Sequence, residues 1–96
     1  MLNNAQKKII LEVLQSLNPR FIGIFGSYAR GEENTDSDLD ILVEFKDDVN
    51  LLDIIGAEMK ISEKLGIKVD LITKKAVSER ILPYIYSDME TLYDEE

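Results

Sequence analysis

Two short apolar runs, joined by a Gly-Ser turn and a polar stretch, dominate the first half of the chain. The first run covers residues 21–25, and the second covers residues 39–45 and begins with acidic residues. Short runs of this kind, rich in β-branched and aromatic residues, are typical of strands. The polar stretch after Gly26 has room for a short helix. The pattern therefore predicts a strand, a short helix and a second strand in immediate succession.

Gly26 and Ser27 are predicted to stand at the start of this short helix. Backbone N–H groups at a helix start have no partner within the helix, and the helix dipole places partial positive charge there. Glycine allows a ligand to approach the backbone closely, and the Ser27 hydroxyl adds a further polar group. The turn is therefore predicted to bind an anion such as a phosphate.

Three carboxylates accompany this turn. Asp38 and Asp40 alternate along the second strand, so their side chains point the same way. Residues 68–73 read as a third strand that carries Asp70, which joins the other two if the strands are neighbours. Carboxylates about 4 Å apart repel by about 4 kcal/mol at an effective dielectric constant near 20, and a cation removes that cost. Oxygen ligands favour Mg²⁺, and a usual zinc site is not expected because the chain has no His and no Cys.

The residues G-S-Y-A-R-G-E from Gly26 and D-S-D-L-D-I-L-V from Asp36 resemble the DNA polymerase beta-like nucleotidyltransferases, and most of all their minimal nucleotidyltransferase branch. The resemblance runs from the first strand to the last predicted helix. It implies a nucleotide-binding set of Gly26, Ser27 and Arg30. It also implies that two magnesium ions are held by the residues that carry catalysis, which are Asp38, Asp40 and Asp70.

This resemblance implies a Mg²⁺-dependent transfer of AMP from ATP to a hydroxyl, with pyrophosphate as the leaving group. Asp70 is our candidate to orient or deprotonate the acceptor hydroxyl. Minimal nucleotidyltransferases commonly act with HEPN-domain toxins, which are RNases, and transfer AMP to a toxin tyrosine. The resemblance therefore implies an antitoxin of a type VII toxin–antitoxin system with a HEPN toxin as its partner.

Two other functions are compatible with the same residues. The chain could block a HEPN partner by complex formation without catalysis, or it could modify a hydroxyl of a small molecule. Single residues also have structural interpretations: Ser27 could be only a helix N-cap, and we expect Asp36 to belong to a polar turn. The agreement of three separate elements favours the enzyme.

Length and charge limit the remaining choices. A chain of 96 residues has room for one modest core, so we expect residues 1–96 to form a single nucleotidyltransferase domain. The net charge of −8 argues against direct binding of nucleic acid, because such binding needs Lys and Arg against phosphates. No signal peptide or membrane-spanning segment is visible and Cys is absent, so we expect a cytoplasmic protein.

The rest of the pattern predicts an α/β (α+β) fold with a small mixed sheet flanked by helices. Helices are expected at residues 4–17, at residues 51–65 with Asn50 and Gly66 as caps, and from residue 78 to residue 89. Residues 94–96 are expected to form a frayed tail. Six residues of the second long helix are expected in the core: Leu51, Ile54, Ile55, Met59, Ile61 and Leu65. Aromatic residues near the C-terminus, Tyr84, Tyr86 and Tyr93 with Met89 and Leu92, are expected to cover the sheet or to form an interface.

Overall fold

A four-stranded mixed sheet organises the chain in the computed structural model, which describes residues 1–95. The strands lie in the order β3-β2-β1-β4, where β1 pairs antiparallel with β2 and β4, and β2 pairs parallel with β3. The mixed sheet and the three predicted strands are confirmed. The strand bounds are β1 Pro19–Phe25, β2 Leu39–Phe45, β3 Val69–Thr73 and β4 Glu90–Asp94.

Residues 1–95 also form four α-helices and one 3-10 turn; the first helix precedes β1, and the other elements lie between strands. Their bounds are α1 Asn4–Gln15, α2 Ser27–Arg30, α3 Leu51–Leu65, the 3-10 turn Lys74–Ala76 and α4 Leu82–Ser87. The Asn50 side chain accepts the Leu52 N–H at the start of α3, and Gly66 ends the helix in the left-handed conformation. Both predicted caps of α3 are therefore confirmed. Because α3 connects β2 to β3, it provides the long crossover that parallel strands require.

The two faces of the sheet have different roles. The back face packs against α1 and α3, and its core side chains are Ile22, Ile24, Leu39, Ile41, Val43, Val69 and Leu71. The opposite face, which we call the front face, carries Phe21, Gly23, Phe25, Asp40, Leu42, Glu44, Asp70 and Ile72 by strand register. The segment that includes α4 packs here, because the Tyr86 ring meets the Phe21 ring edge-on and Met89 lies next to Gly23. The prediction that Tyr86 and Met89 cover the sheet is confirmed.

The prediction for the apolar side chains of α3 is partly wrong. Ile61 is fully buried, and Ile54 and Leu65 pack against the core. Leu51, Ile55 and Met59 are instead exposed, by 67%, 42% and 65%. Residues at this spacing of four form one stripe along a helix. Here that stripe lies away from the sheet, because the stripe containing Ala57 and Ile61 packs on the back face.

The C-terminal segment also differs from expectation. Only Leu82–Ser87 is α-helical within the expected helix, and Glu90–Asp94 forms β4 on the free edge of β1. Pro83 is tolerated because it stands in the first turn of α4. The tail prediction is wrong for Asp94, which ends β4, and for Glu95, whose N–H donates to Arg20 O and whose carboxylate pairs with Lys46 at 2.6 Å. Residue 96 of that prediction lies outside the described residues. Within residues 1–95, no helix combines the length and the apolar character needed to cross a membrane.

Candidate active site

Asp40 and Asp70 lie directly across from each other on the parallel strands β2 and β3. Neighbouring strands are about 4.8 Å apart, and paired residues present their side chains on the same face. Both residues are half-buried. The sequence predicts that Asp70 joins the other carboxylates only if their strands are neighbours. Because β2 and β3 are neighbours, this condition is met.

Asp38 stands just before β2, two residues from Asp40. Its carboxylate lies 3.7 Å from the Lys68 ammonium, which supplies a positive charge on this side of the site. Within residues 1–95, the structure has no group of three or more acidic side chains arranged to hold a metal ion. The structure thus pairs Asp40 with Asp70, while Asp38 contacts Lys68 and does not complete a cluster of three carboxylates.

Burial raises the pKa of the Asp40 carboxyl, and the nearby charges of Asp70 and Asp38 raise that pKa further. The Arg30 charge acts in the opposite direction. The ionised form of Asp40 is therefore disfavoured in the folded chain, as is common for acidic groups at functional sites. A cation bound beside Asp40 would relieve this repulsion.

We expect Asp40→Asn to unfold at a higher temperature than the wild-type chain at pH 7. A folded-state pKa above the unfolded value means that ionised Asp40 destabilises the fold, and this cost disappears as the pH falls toward the ordinary value of 3.8. The difference between the two proteins should therefore shrink in acid. Thermal unfolding followed by circular dichroism between pH 3 and pH 8 measures it. Asp48→Asn is the control, because Lys75 lowers the pKa of Asp48 and no gain is expected there. A midpoint below wild type for Asp40→Asn at pH 7 would contradict the prediction.

Gly26 connects β1 to α2 in a conformation that favours glycine, with φ 76° and ψ −154°. A Cβ atom at this position would lie closer than 3.0 Å to Asp40 Oδ2, which is nearer than real Cβ atoms come. Gly26 is also the N-cap residue of α2, and no side chain caps this helix. Ser27 is the first residue of α2. The alternative interpretation of Ser27 as only a helix N-cap is therefore wrong. The structure places Gly26 of the predicted phosphate turn next to Asp40, and Ser27 follows it directly.

Arg30 ends α2 and makes two ion pairs. Its Nε lies 2.5 Å from Glu32 Oε1, and its Nη1 lies 3.5 Å from Asp88 Oδ2. No sequence pattern indicated the second pair, since Asp88 is 58 residues away and follows α4. Arg30 is thus held between the two acids at the edge of the site.

The turn before β2 behaves as expected for Asp36. Its N–H donates to Asn34 Oδ1, and its side chain is exposed. A cavity of about 400 Å³ lies beside this turn, bounded by residues 34–38, 66–68 and Tyr28. A larger cavity of about 480 Å³ lies at the far ends of β2 and β3, around Phe45 and Lys74, away from Asp40 and Asp70.

Comparison with known proteins gives the family. Residues 7–91 match the nucleotidyltransferase domain family. The chain belongs to this family. The predicted family and enzyme class are thereby confirmed, and the match includes all of the predicted site residues.

Archaeal proteins are among the similar sequences. The chain is 43% identical over 77 residues to the protein adenylyltransferase MntA of Thermococcus cleftensis, covering 80% of this chain and 75% of that protein. It is 43% identical over 84 residues to a Methanocaldococcus jannaschii protein that is provisionally named a protein adenylyltransferase, covering 88% of this chain and 80% of that protein.

Solved structures confirm the predicted fold class. A structure provisionally described as a minimal nucleotidyltransferase has a TM-score of 0.80 and 30% identity, covering 90% of this chain and 88% of that one. A toxin–antitoxin crystal structure with AMP-PNP has a TM-score of 0.83 and 23% identity, covering 92% of this chain and 73% of that one. At 23% identity the second likeness establishes the fold.

Proposed function

We propose that this chain transfers AMP from ATP to a tyrosine hydroxyl of a partner HEPN toxin, as the antitoxin of a type VII toxin–antitoxin system. The observation that carries the proposal is the pairing of Asp40 with Asp70 on the front face, directly beside the Gly26 turn. The names of the archaeal relatives, which describe protein adenylyltransferases, support the choice of AMP and of a protein acceptor. The toxin–antitoxin structure with AMP-PNP supports a nucleotide substrate and a toxin partner.

The reaction is an in-line displacement at the α-phosphorus of ATP. The acceptor oxygen forms a bond to this phosphorus, and the bond to the oxygen that bridges to the β-phosphorus breaks. Pyrophosphate leaves with the electron pair of the broken bond. The hydroxyl proton passes to the carboxylate of Asp70, which must lie within hydrogen-bond reach of it. Most of the acceleration then comes from positioning and charge neutralisation.

Gly26, Ser27 and Arg30 hold the nucleotide phosphates in this proposal. The absence of a Cβ at Gly26 keeps the backbone accessible next to Asp40, and the Ser27 hydroxyl adds a donor. Arg30 contributes a fixed positive charge whose influence reaches Asp40. These residues orient the triphosphate so that the α-phosphorus faces the Asp40–Asp70 pair.

The proposed cofactor is Mg²⁺, with two ions held by Asp38, Asp40 and Asp70. Asp38 contacts Lys68 in the structure, so its carboxylate would have to exchange that partner for a metal ion. The site fits this ion because its donors are carboxylate oxygens and because burial and like charges already disfavour ionised Asp40. Mg²⁺ usually takes one or two carboxylates and completes its shell with water and substrate phosphate, so the Asp40–Asp70 pair suffices for one ion. Bound Mg²⁺ would stabilise the charge on the attacking and leaving oxygens.

The charge of the chain agrees with a protein acceptor. A net charge of −8 repels nucleic acid and complements a basic, RNA-binding partner. We propose that residues 1–96 work as one nucleotidyltransferase domain, in the cytoplasm and without direct contact with nucleic acid.

The test is a labelling reaction with Mg²⁺ and the purified product of the neighbouring gene, which we expect to be a HEPN-domain protein. We expect label from [α-³²P]ATP on a partner tyrosine and none from [γ-³²P]ATP, because pyrophosphate carries the γ-phosphate away. Label from [γ-³²P]ATP alone would indicate transfer of a phosphate group, and label from both nucleotides would indicate that the whole nucleotide stays attached; either result would contradict the proposal. A stable complex that inactivates the partner without label would identify an antitoxin that acts by binding. Label on a small hydroxyl compound in place of the partner would identify a different acceptor.

A further inference from the structure

Asp88 connects the C-terminal segment to the active site. It directly follows α4 as the C-cap residue and stands two residues before β4. Its carboxylate reaches the Arg30 guanidinium at 3.5 Å across a sequence separation of 58 residues. This ion pair joins the turn after α4 to the end of α2. The two segments meet where the nucleotide phosphates are expected.

The position of Asp88 is set by packing on both sides. Before it, Tyr86 packs edge-on against Phe21 of β1 with ring centroids 6.2 Å apart. After it, the Met89 N–H donates to Tyr86 O, and the Met89 side chain fills the space above Gly23. Although Asp88 is exposed, its backbone is therefore fixed on the front face of the sheet. A carboxylate held in this way can orient a flexible partner.

Arg30 keeps free donors while it is held. A guanidinium has five N–H donors in a planar fork. Glu32 takes the Nε donor and Asp88 takes one donor on Nη1, which leaves three for a ligand. The unrestrained Arg side chain would lose rotamer freedom when it binds phosphate, and a side chain that is already held loses less.

The electrostatics agree with this orientation. The positive charge of Arg30 is close enough to Asp40 to oppose the rise in the pKa of that carboxyl. Glu32 first and then Asp88 raise the pKa of Arg30 itself, and a guanidinium is in any case always charged in proteins. The held cation therefore acts on the carboxylate that stands beside the Gly26 turn.

We propose that Asp88 is a positioning residue of the active site, which holds the Arg30 guanidinium toward the triphosphate of the bound nucleotide. This inference rests on the proposed function, since it takes ATP as the substrate. Asp88 itself does not touch the nucleotide. Its effect passes through Arg30 alone.

A double-mutant cycle tests the inference with the purified chain. AMP-PNP binding in the presence of Mg²⁺ is measured by calorimetry for wild type, Asp88→Asn, Arg30→Ala and the double variant. We expect Asp88→Asn to weaken binding about threefold to fivefold, the size of an exposed ion pair, and Arg30→Ala to weaken it more than about tenfold. In the Arg30→Ala background, Asp88→Asn should have no further effect. The control is Glu90→Gln, which breaks the nearby ion pair with Lys7 at 2.6 Å and should leave binding unchanged.

Three results would overturn the inference. Unchanged AMP-PNP binding in Asp88→Asn would show that the contact is not used. Tighter binding would show that Asp88 competes with the phosphates. An equal loss in the Arg30→Ala background would show that Asp88 acts by another route. AMP-PNP binding does not require AMP transfer, so the two proposals can fail separately. A wild-type chain that binds AMP-PNP without labelling its partner would contradict the proposed function. The double-mutant cycle would still decide whether Asp88 positions Arg30.

Discussion

The double variant Asp38→Ala, Asp40→Ala is expected to lose AMP transfer by at least about a thousandfold. Removing one preorganised group that stabilises transition-state charge typically costs about 10²–10³ in rate, and this variant removes two of the three proposed metal ligands. Asp40 has the larger share, because it pairs with Asp70 and contacts the Gly26 turn. Label transferred from [α-³²P]ATP to the partner protein over time measures the loss.

Asp36→Ala is the matched control for this variant. It removes an exposed carboxylate two residues from Asp38, in a turn where the Asp36 N–H donates to Asn34 Oδ1. It should keep AMP transfer within about twofold of wild type, because substitutions of exposed residues outside the core and the active site usually have small effects. Transfer by the double variant within about tenfold of wild type would show that these carboxylates do not carry the reaction. A double variant without transfer that still silences the partner would show that binding is enough for neutralisation.

Gly26→Ala is expected to damage both the fold and the reaction. The conformation at φ 76° and ψ −154° costs a residue with a Cβ about 1–3 kcal/mol, and the new methyl group would also collide with Asp40 Oδ2. We expect the free energy of unfolding to fall by at least about 2 kcal/mol. Asp40 must move to admit the methyl group, and a displacement of about 1 Å in an active site can cost about a hundredfold in rate. Urea unfolding and the labelling assay measure the two effects separately.

Alanine substitutions at two other glycines separate the effect of backbone strain from that of the steric collision with Asp40. Gly66 has φ 67° and no atom within 4 Å of the point where a Cβ would stand, and Gly31 has φ 71° with only Met1 side-chain atoms near that point, the closest at 3.6 Å. Gly66→Ala and Gly31→Ala should each cost about 1–2 kcal/mol from backbone strain alone. Gly66→Ala should leave the rate of AMP transfer almost unchanged. If Gly26→Ala matched Gly66→Ala in both stability and rate, the close approach of Gly26 to Asp40 would have no functional role.

Local patterns were enough to predict much of the fold and of the site. The strand from residue 39 to residue 45, the caps Asn50 and Gly66, and the short helix after Gly26 were all predicted from neighbouring residues. Each of these features depends on contacts between residues close in the chain, such as a side-chain cap or the alternation of a strand. The candidate carboxylates were found for the same reason, since Asp38 and Asp40 alternate at the start of one predicted strand and Asp70 has an apolar context in another.

Contacts between distant segments were not visible in these patterns. The sequence predicted six apolar residues of α3 in the core, but the sheet covers one stripe of the helix and leaves Met59 exposed. Residues 90–94 carry too short an apolar pattern to identify a strand. They form β4 because β1 has a free edge whose backbone groups need partners.

By itself, the sequence determined the order of strands and helices up to β3, the Gly26–Ser27 turn and the acids that flank it, because short-range periodicity and capping encode these features. Only the tertiary structure decided that Asp70 lies opposite Asp40. It also decided that Lys68 forms an ion pair with Asp38 and that Asp88 forms one with Arg30. These contacts join residues between 30 and 58 positions apart. They depend on which strands become neighbours and on where α4 packs, and both choices are made when the whole chain buries its apolar side chains.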